Sequence, residues 1–304
     1  MFADAHCDTL TRIYDKNEEL YKNDGQLDLE RLINNECTLQ MMAVWIEPKY
    51  EKNGFLRFNN VISNFYKEYE KNKDKIKLVT NADDLKSNKL KLLLTIEGGS
   101  AINGSILNLE RAYMSGVRLM TLTWNGENEL GFGAGCEDKG LTEFGKEVVK
   151  KMNKLGMIID VSHLSDNGFY DVASISKTPF FATHSNCRKI CNNKRNLTDE
   201  QIKYIIKTDG FIGLNFYPDF LNESGATVND IIKHAEHILA LGGEDVLGFG
   251  GDFDGVDKLP FGISGVENMM GITDAFCKMG YSQNLINKVF FGNLTKKVQQ
   301  ILKK

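Results

Sequence analysis

Gly156-Met-Ile-Ile-Asp-Val-Ser-His163 and Thr178-Pro-Phe-Phe-Ala-Thr-His184 are two short apolar runs that each end in a histidine. Their length and their β-branched or aromatic content match buried strands. Leu164–Lys177 between them is polar, with Phe169, Tyr170 and Val172 at roughly helical spacing. The unit reads strand, helix, strand. If the strands are parallel neighbours, both imidazoles stand side by side at one end of a sheet. Imidazole is the commonest metal ligand and the usual proton shuttle. A pair of hydrogen-bonded core histidines is the competing account, and the other strands decide between them.

Outward from this unit, strand candidates recur along the chain: Phe2–His6, Thr38–Ile46, Lys91–Glu97, Val117–Trp124, Met157–His163, Pro179–His184, Phe211–Tyr217 and Val246–Asp252. Helical patterns separate them, over Leu27–Asn35, Leu56–Lys75, Ile106–Ser115, Thr142–Leu155, Thr198–Lys207, Val228–Leu241 and Gln283–Leu302. Thr142-Glu143 and Thr198-Asp-Glu-Gln201 are helix-start signals, the second a capping box. Strands alternating with helices imply a parallel sheet. Eight repeats in 304 residues favour an α/β fold of the (β/α)8 TIM-barrel type, a single catalytic domain over 1–304. The lysine-rich stretch Tyr66–Lys77 carries both charge signs and reads as a solvated helix face.

The strand candidates end in His6 and Asp8, Trp45 and Glu47, Glu97, Trp124 and Asn125, His163, His184, Tyr217, and Asp252 with Asp254. Nearly every one ends in a group able to bind metal, move a proton or line a pocket. Active sites of such barrels lie at the C-terminal face and draw on several strands. His6-Cys-Asp8 puts two donors on one face of a strand by period-two alternation. Glu97 follows Leu92-Leu-Leu-Thr-Ile96, and a carboxylate there is costly unless it pairs or coordinates. With His163 and His184 the set is two carboxylates and three imidazoles. That suits two zinc-like ions sharing one carboxylate, and manganese or iron fits the same donors.

Other chemistry is poorly represented. A net charge of −4 argues against a nucleic-acid surface. The six cysteines have no framework spacing and read as reduced thiols of a cytosolic protein. Cys187 and Cys191 follow His184 but match no structural zinc pattern. The first strand starts almost at Met1, and no run approaches a membrane span, so a soluble cytoplasmic protein without a membrane partner is expected. Lys296–Lys304 reads as an amphipathic helical tail. Gly248-Phe-Gly-Gly-Asp-Phe-Asp-Gly255 lacks the glycine spacing of a calcium loop. GxGxxG, the P-loop, Gly-x-Ser-x-Gly and His-Glu-x-x-His are absent. His234-Ala-Glu-His237 lies on a helical stretch, far from the strand ends, and reads as a surface or interface pair.

The order of these residues resembles the membrane dipeptidase (renal dipeptidase) family of zinc metallopeptidases. The resemblance rests on His6-Cys-Asp8, Glu97-Gly-Gly99, Asp160-Val-Ser-His163, Ala182-Thr-His-Ser185, Lys194-Arg-Asn196, Asn215-Phe-Tyr217 and Gly250-Gly-Asp-Phe-Asp-Gly255, and runs nearly end to end. It implies two Zn2+ per chain, a homodimer, and hydrolysis of free dipeptides, including some with a C-terminal D-residue. By motif, His6 and Asp8 would hold one zinc, His163 and His184 the other, and Glu97 would bridge them. Asp252 would handle the proton, Arg195 would meet the substrate carboxylate, and Tyr217 would line the pocket. The chemistry is coherent: a water bridging two zincs is acidified towards hydroxide near neutral pH, and a guanidinium fork suits a carboxylate.

One position departs from the resemblance. Animal members of that family carry a histidine where this chain has Trp124-Asn125, after Leu119-Met-Thr-Leu-Thr. An indole has one N–H donor and no acceptor, so Asn125 or the Trp124 N–H is expected to stabilise the carbonyl instead. Two further readings share the ligand set: a barrel metal hydrolase acting on lactams, lactones or other amides, and a metal-binding barrel without catalysis. Asp252 speaks against the second, which needs no proton shuttle beside its metals.

Overall fold

The computed structural model describes residues 1–302. Nine parallel strands form one sheet: β1 (Phe2–Asp4), β2 (Cys37–Trp45), β3 (Ile76–Leu78), β4 (Leu90–Glu97), β5 (Val117–Thr121), β6 (Ile158–Asp160), β7 (Phe181–Ala182), β8 (Phe211–Leu214) and β9 (Leu247–Phe249). The path runs β1-β2-β4-β5-β6-β7-β8-β9, with β3 as a side strand on β4. The ring closes between first and last strands, where Ala5 N–H donates to the Phe249 carbonyl (2.9 Å) and Asp8 N–H to that of Phe253 (2.9 Å). Asp4 braces this seam. Its carboxylate accepts from His6 N–H (3.0 Å), Gln40 Nε2 (2.9 Å) and Gly251 N–H (2.7 Å), which joins β1, β2 and the turn after β9. The result is the expected eight-stranded barrel ringed by helices.

Two buried regions hold it. The larger lies between strands and outer helices. The smaller fills the barrel, with Leu39, Leu93, Leu119, Ile158, Phe181 and Phe211 packed against Leu294, Val298 and Ile301 of the last helix, Asn293–Ile301. That helix closes the floor. Up the same period-two columns the side chains turn polar: Leu93 is followed by Thr95 and Glu97, Leu119 by Thr121, Ile158 by Asp160 and Phe181 by Thr183. Apolar below and polar above, the lining alone sets which end can do chemistry. Gly213 and Gly250 are fixed by space, because a Cβ on either would fall on the Thr183 carbonyl.

Several expectations need correction. All strands but β4 stop earlier than expected, and β3 begins inside the lysine-rich stretch that reads as a helix face. The helix there is Gly54–Asn72, and Ile76 is buried in the strand that follows. The expected helix Gln283–Leu302 is Gln283–Asn287 and Asn293–Ile301, joined by a π-helical turn at Lys288–Gly292. Asn293 explains the break: its side-chain amide donates to the carbonyls of Glu244 and Leu247 (2.8 Å each), anchoring the last helix to β9. Lys303 and Lys304 of the expected tail lie outside the described residues. No helix among the described residues is long and apolar enough to cross a membrane.

His234 is not at the surface. It is fully buried on the helix Val228–Ala240. Its Nδ1 accepts from Cys187 N–H (3.0 Å) and its Nε2–H donates to the Leu221 carbonyl (3.0 Å), tying the loops after β7 and β8 together. The partly buried His237 pairs with Asp199 (2.7 Å). Burial pushes His234 down from 6.5 to about 4. Between those values the unfolded chain binds the extra proton, so this group removes stability as pH falls from about 6.5 towards 4. Replacing it by glutamine, which keeps a donor and an acceptor, should therefore shrink the loss of urea midpoint between pH 7 and pH 5. Equal losses in both proteins would refute that assignment.

Candidate metal centre

Because the strands end early, most of the predicted site residues stand two to four positions beyond them, on the first residues of the loops, and Arg195 lies further along the loop after β7. Glu97 is the exception, as the last residue of β4. Asp8 is therefore not a strand residue. It occupies the N-cap of the helix Thr9–Lys16 but makes no capping hydrogen bond. Its carboxylate turns to His6 instead, with Oδ2 3.4 Å from Nε2. An N-cap aspartate that forgoes its cap gives up roughly 0.5–2 kcal/mol of helix stabilisation.

The five expected ligands converge. His6 Nε2 lies 3.3 Å from Glu97 Oε2 and 3.7 Å from Asp252 Oδ1. His163 Nε2 lies 2.8 Å from both Glu97 Oε1 and His184 Nε2. Donor atoms of His6, Glu97 and His184 fall within 4.8 Å of one another, as do those of His6, Asp8 and Asp252. Asp252, assigned to proton handling from sequence, is thus also within a cation's reach of His6 and Asp8.

The imidazole tautomers decide what this cluster lacks. His163 Nδ1 faces Asn125 Oδ1 (2.8 Å), an acceptor, so Nδ1 carries the proton. His184 Nδ1 faces Thr183 Oγ1 (2.8 Å), whose own proton goes to Asp160 Oδ2 (2.7 Å), so here too Nδ1 donates. Both Nε2 lone pairs then point at each other and at Glu97 with no hydrogen between them. Only a proton or a cation makes that arrangement favourable. Asp8 Oδ1 is also buried without a partner. The donor set of imidazole and carboxylate fits zinc-like ions.

The titration behaviour agrees. Burial, with Asp8 close by, pushes Glu97 up to about 8. Burial opposes a charge on His6, but Glu97 and Asp8 outweigh it and raise the imidazole well above its usual value. Burial pushes His163 and His184 well below theirs, reinforced by Arg195 and the other imidazoles. Neutral imidazoles with free Nε2 atoms are the form that binds metal.

A second layer, which sequence reasoning missed, fixes these ligands. Asp160 accepts from Thr121 Oγ1 (2.6 Å), Ser162 Oγ (2.7 Å), Thr183 Oγ1 (2.7 Å) and Thr183 N–H (2.9 Å). Asn215 Nδ2 holds Asp252 Oδ2 at 2.8 Å. The signal for Asp160 was present: it follows Met157-Ile-Ile159 as Glu97 follows its own apolar run. Asp252 and Asp254 have left-handed φ of 60° and 64°, which costs roughly 1–3 kcal/mol each. Asp254 offsets this by accepting from Thr9 Oγ1 (2.6 Å) and Gln26 N–H (2.7 Å).

Above the donors lies a cavity of about 400 Å³, lined by Asp8, Glu97, His163 and Asp252 and by Trp45, Trp124, Asn125, Tyr217 and Phe220 among others. Tyr217 and Phe220 pack edge to face (4.9 Å). Asn125 lines the cavity and commits its carbonyl oxygen to His163, so it orients that ring. Trp124 packs on Trp45 (5.4 Å) and against His163 (6.3 Å). Arg195 is buried, with its guanidinium 5.3 Å over the Phe220 ring. Its Nη2 makes a long contact to the His184 carbonyl (3.5 Å), while Nε and Nη1 have no partner.

The family model described as membrane dipeptidase (peptidase family M19) matches residues 1–303. An uncharacterised dipeptidase of Schizosaccharomyces pombe is 29% identical over 300 residues, covering 91% of this chain and 71% of that protein. A crystal structure described as dipeptidase AC, a metallopeptidase, superposes with a TM-score of 0.93 at 26% identity, covering 100% and 99% of the two chains. A metallopeptidase from Rhodobacter sphaeroides, liganded with a phosphinate mimic of the dipeptide L-Ala-D-Ala, gives 0.91 at 26% identity, with 99% of each chain covered.

Gly255 tests the geometry of the donors. A Cβ there would fall on Asp8 Oδ2 and Asp252 Oδ1. Gly255→Ala should weaken zinc binding by about 10–100-fold, read by competition against a chromogenic chelator. Unchanged affinity would show that the two carboxylates can yield without leaving a cation's reach.

Proposed function

This chain belongs to the membrane dipeptidase family, and from that premise we propose that it is a dinuclear zinc dipeptidase acting on free dipeptides. The observation that carries the reading beyond a generic metal hydrolase is Arg195. A buried guanidinium with two unpartnered nitrogens, Nε and Nη1, is costly. Burial pushes it down to about 10, so it stays charged at neutral pH. A carboxylate completes it, and a free dipeptide carries one at the required end.

His6 and Asp8 would hold one zinc, His163 and His184 the second, with Glu97 between them. The ions would supply Lewis acidity to the scissile carbonyl and to the attacking water. The protein's own groups do the rest. Asn215 fixes Asp252 through Oδ2, which leaves Oδ1 to take the water's proton and return it to the departing amine. Asn125 and Thr183 keep the two Nε2 lone pairs facing inward. Arg195 sets the substrate's direction, with the C-terminal residue towards Phe220 and Tyr217. The L-Ala-D-Ala mimic bound by the Rhodobacter sphaeroides relative supports including substrates with a C-terminal D-residue.

Zinc-loaded protein should cleave L,L- and L,D-dipeptides, lose that activity to a chelator, and spare dipeptides with an amidated C-terminus. Arg195→Met should lower kcat/KM by about 100-fold, the scale of a lost charge-assisted hydrogen bond, and narrow the gap between free and amidated substrates. Equal cleavage of free and amidated dipeptides by the parent enzyme would overturn the assignment of Arg195.

A further inference from the structure

The chain contains two tryptophans, and both line the cavity above the donor cluster. They come from different places, Trp45 at the end of β2 and Trp124 three residues beyond β5. Their rings meet at 5.4 Å and 55°. Neither ring is fully covered by protein. Trp45 Nε1–H is buried and has no acceptor, so no hydrogen bond through the indole nitrogen accounts for a tryptophan there. What the pair offers the cavity is aromatic surface.

The order of strands round the barrel gives that surface a direction. In the ring β1-β2-β4-β5-β6-β7-β8-β9, β2 and β4 lie opposite β7 and β8, and β5 lies opposite β9. The β7–β8 side carries Arg195, Tyr217 and Phe220. A dipeptide with its carboxylate at Arg195 and its scissile carbonyl at the donor cluster must extend its N-terminal residue towards the opposite half, where the tryptophans stand. We propose that Trp45 and Trp124 form the subsite for the N-terminal side chain, and that the enzyme prefers dipeptides whose N-terminal residue is aromatic or large and aliphatic. This rests on the dipeptidase reading and narrows its substrate class. A charged N-terminal side chain would have to shed water against two indole faces, whereas an apolar one covers them.

The test compares kcat/KM of the zinc-loaded enzyme for Phe-Ala, Leu-Ala, Ala-Ala and Lys-Ala. Phe-Ala and Leu-Ala should exceed Ala-Ala and Lys-Ala by about 10–100-fold, the range hydrophobic pockets reach. Trp45→Ala and Trp124→Ala should each collapse the Phe-Ala to Ala-Ala ratio towards unity. Trp45→Phe removes the unpartnered N–H and shrinks the ring but keeps an aromatic face, and should keep most of the ratio. Intrinsic fluorescence gives a second readout, because Phe-Ala binding should perturb both indoles, and more strongly than Ala-Ala binding. Cleavage of all four dipeptides without preference, or alanine variants that keep the parent ratio, would overturn the subsite alone. Failure to cleave any of them would overturn the dipeptidase reading, and the subsite with it.

Discussion

Two imidazole nitrogens 2.8 Å apart, each presenting a lone pair to the other and to a buried carboxylate, are the constraint on which the structure turns. In water such acceptors would separate or take up protons. Here they cannot part, because each ring is held from behind. Asn125 takes one Nδ1–H, and Thr183, itself spent on Asp160, takes the other. The donors are thus preorganised before any cation arrives, and their arrangement is stable only with something positive between them. Donors held in this way suit a cation, because their orientation is fixed by partners outside the cluster.

The barrel divides the labour. Its floor, sealed by the last helix, is apolar and contributes burial. Its upper tiers are hydroxyls and carboxylates whose cost is met only in part, since Thr95 Oγ1 and Asp8 Oδ1 are buried without partners. The left-handed Asp252 and Asp254 add backbone strain at the same end. Instability therefore gathers at the C-terminal face and stability at the opposite one. His234, behind the loops after β7 and β8, adds rigidity where the unpartnered Arg195 needs it.

Much of this was legible in the sequence, for a definite reason. Parallel strands buried on both faces read as apolar runs, and a histidine or carboxylate ending such a run has no cheap structural excuse. That logic found all five proposed ligands, Asp252 and the barrel. It misplaced strand ends by up to three residues, because an apolar or small residue in a buried loop looks the same as one in a strand: Phe216 and Val161 are buried beyond β8 and β6. It also failed for residues whose role is set by a distant partner. His234 was read as a surface residue because Cys187 and Leu221 are far from it in sequence. The bond from Asn125 to His163 is likewise invisible in the sequence, because it depends on two loops meeting. Asp160 obeyed the rule that found Glu97 but lay inside its strand's apolar run instead of at an obvious tip.

The seam between first and last strands has a consequence for how the protein comes into being. His6 and Asp8 are separated from Asp252, which they face, by almost the whole barrel sequence. Asp4 joins the two ends through the Gly251 N–H. Until β9 pairs with β1, Asp252 is not brought to His6 and Asp8. Closing the seam is among the most non-local steps of the fold, and its loop-closure cost comes before the contacts that repay it.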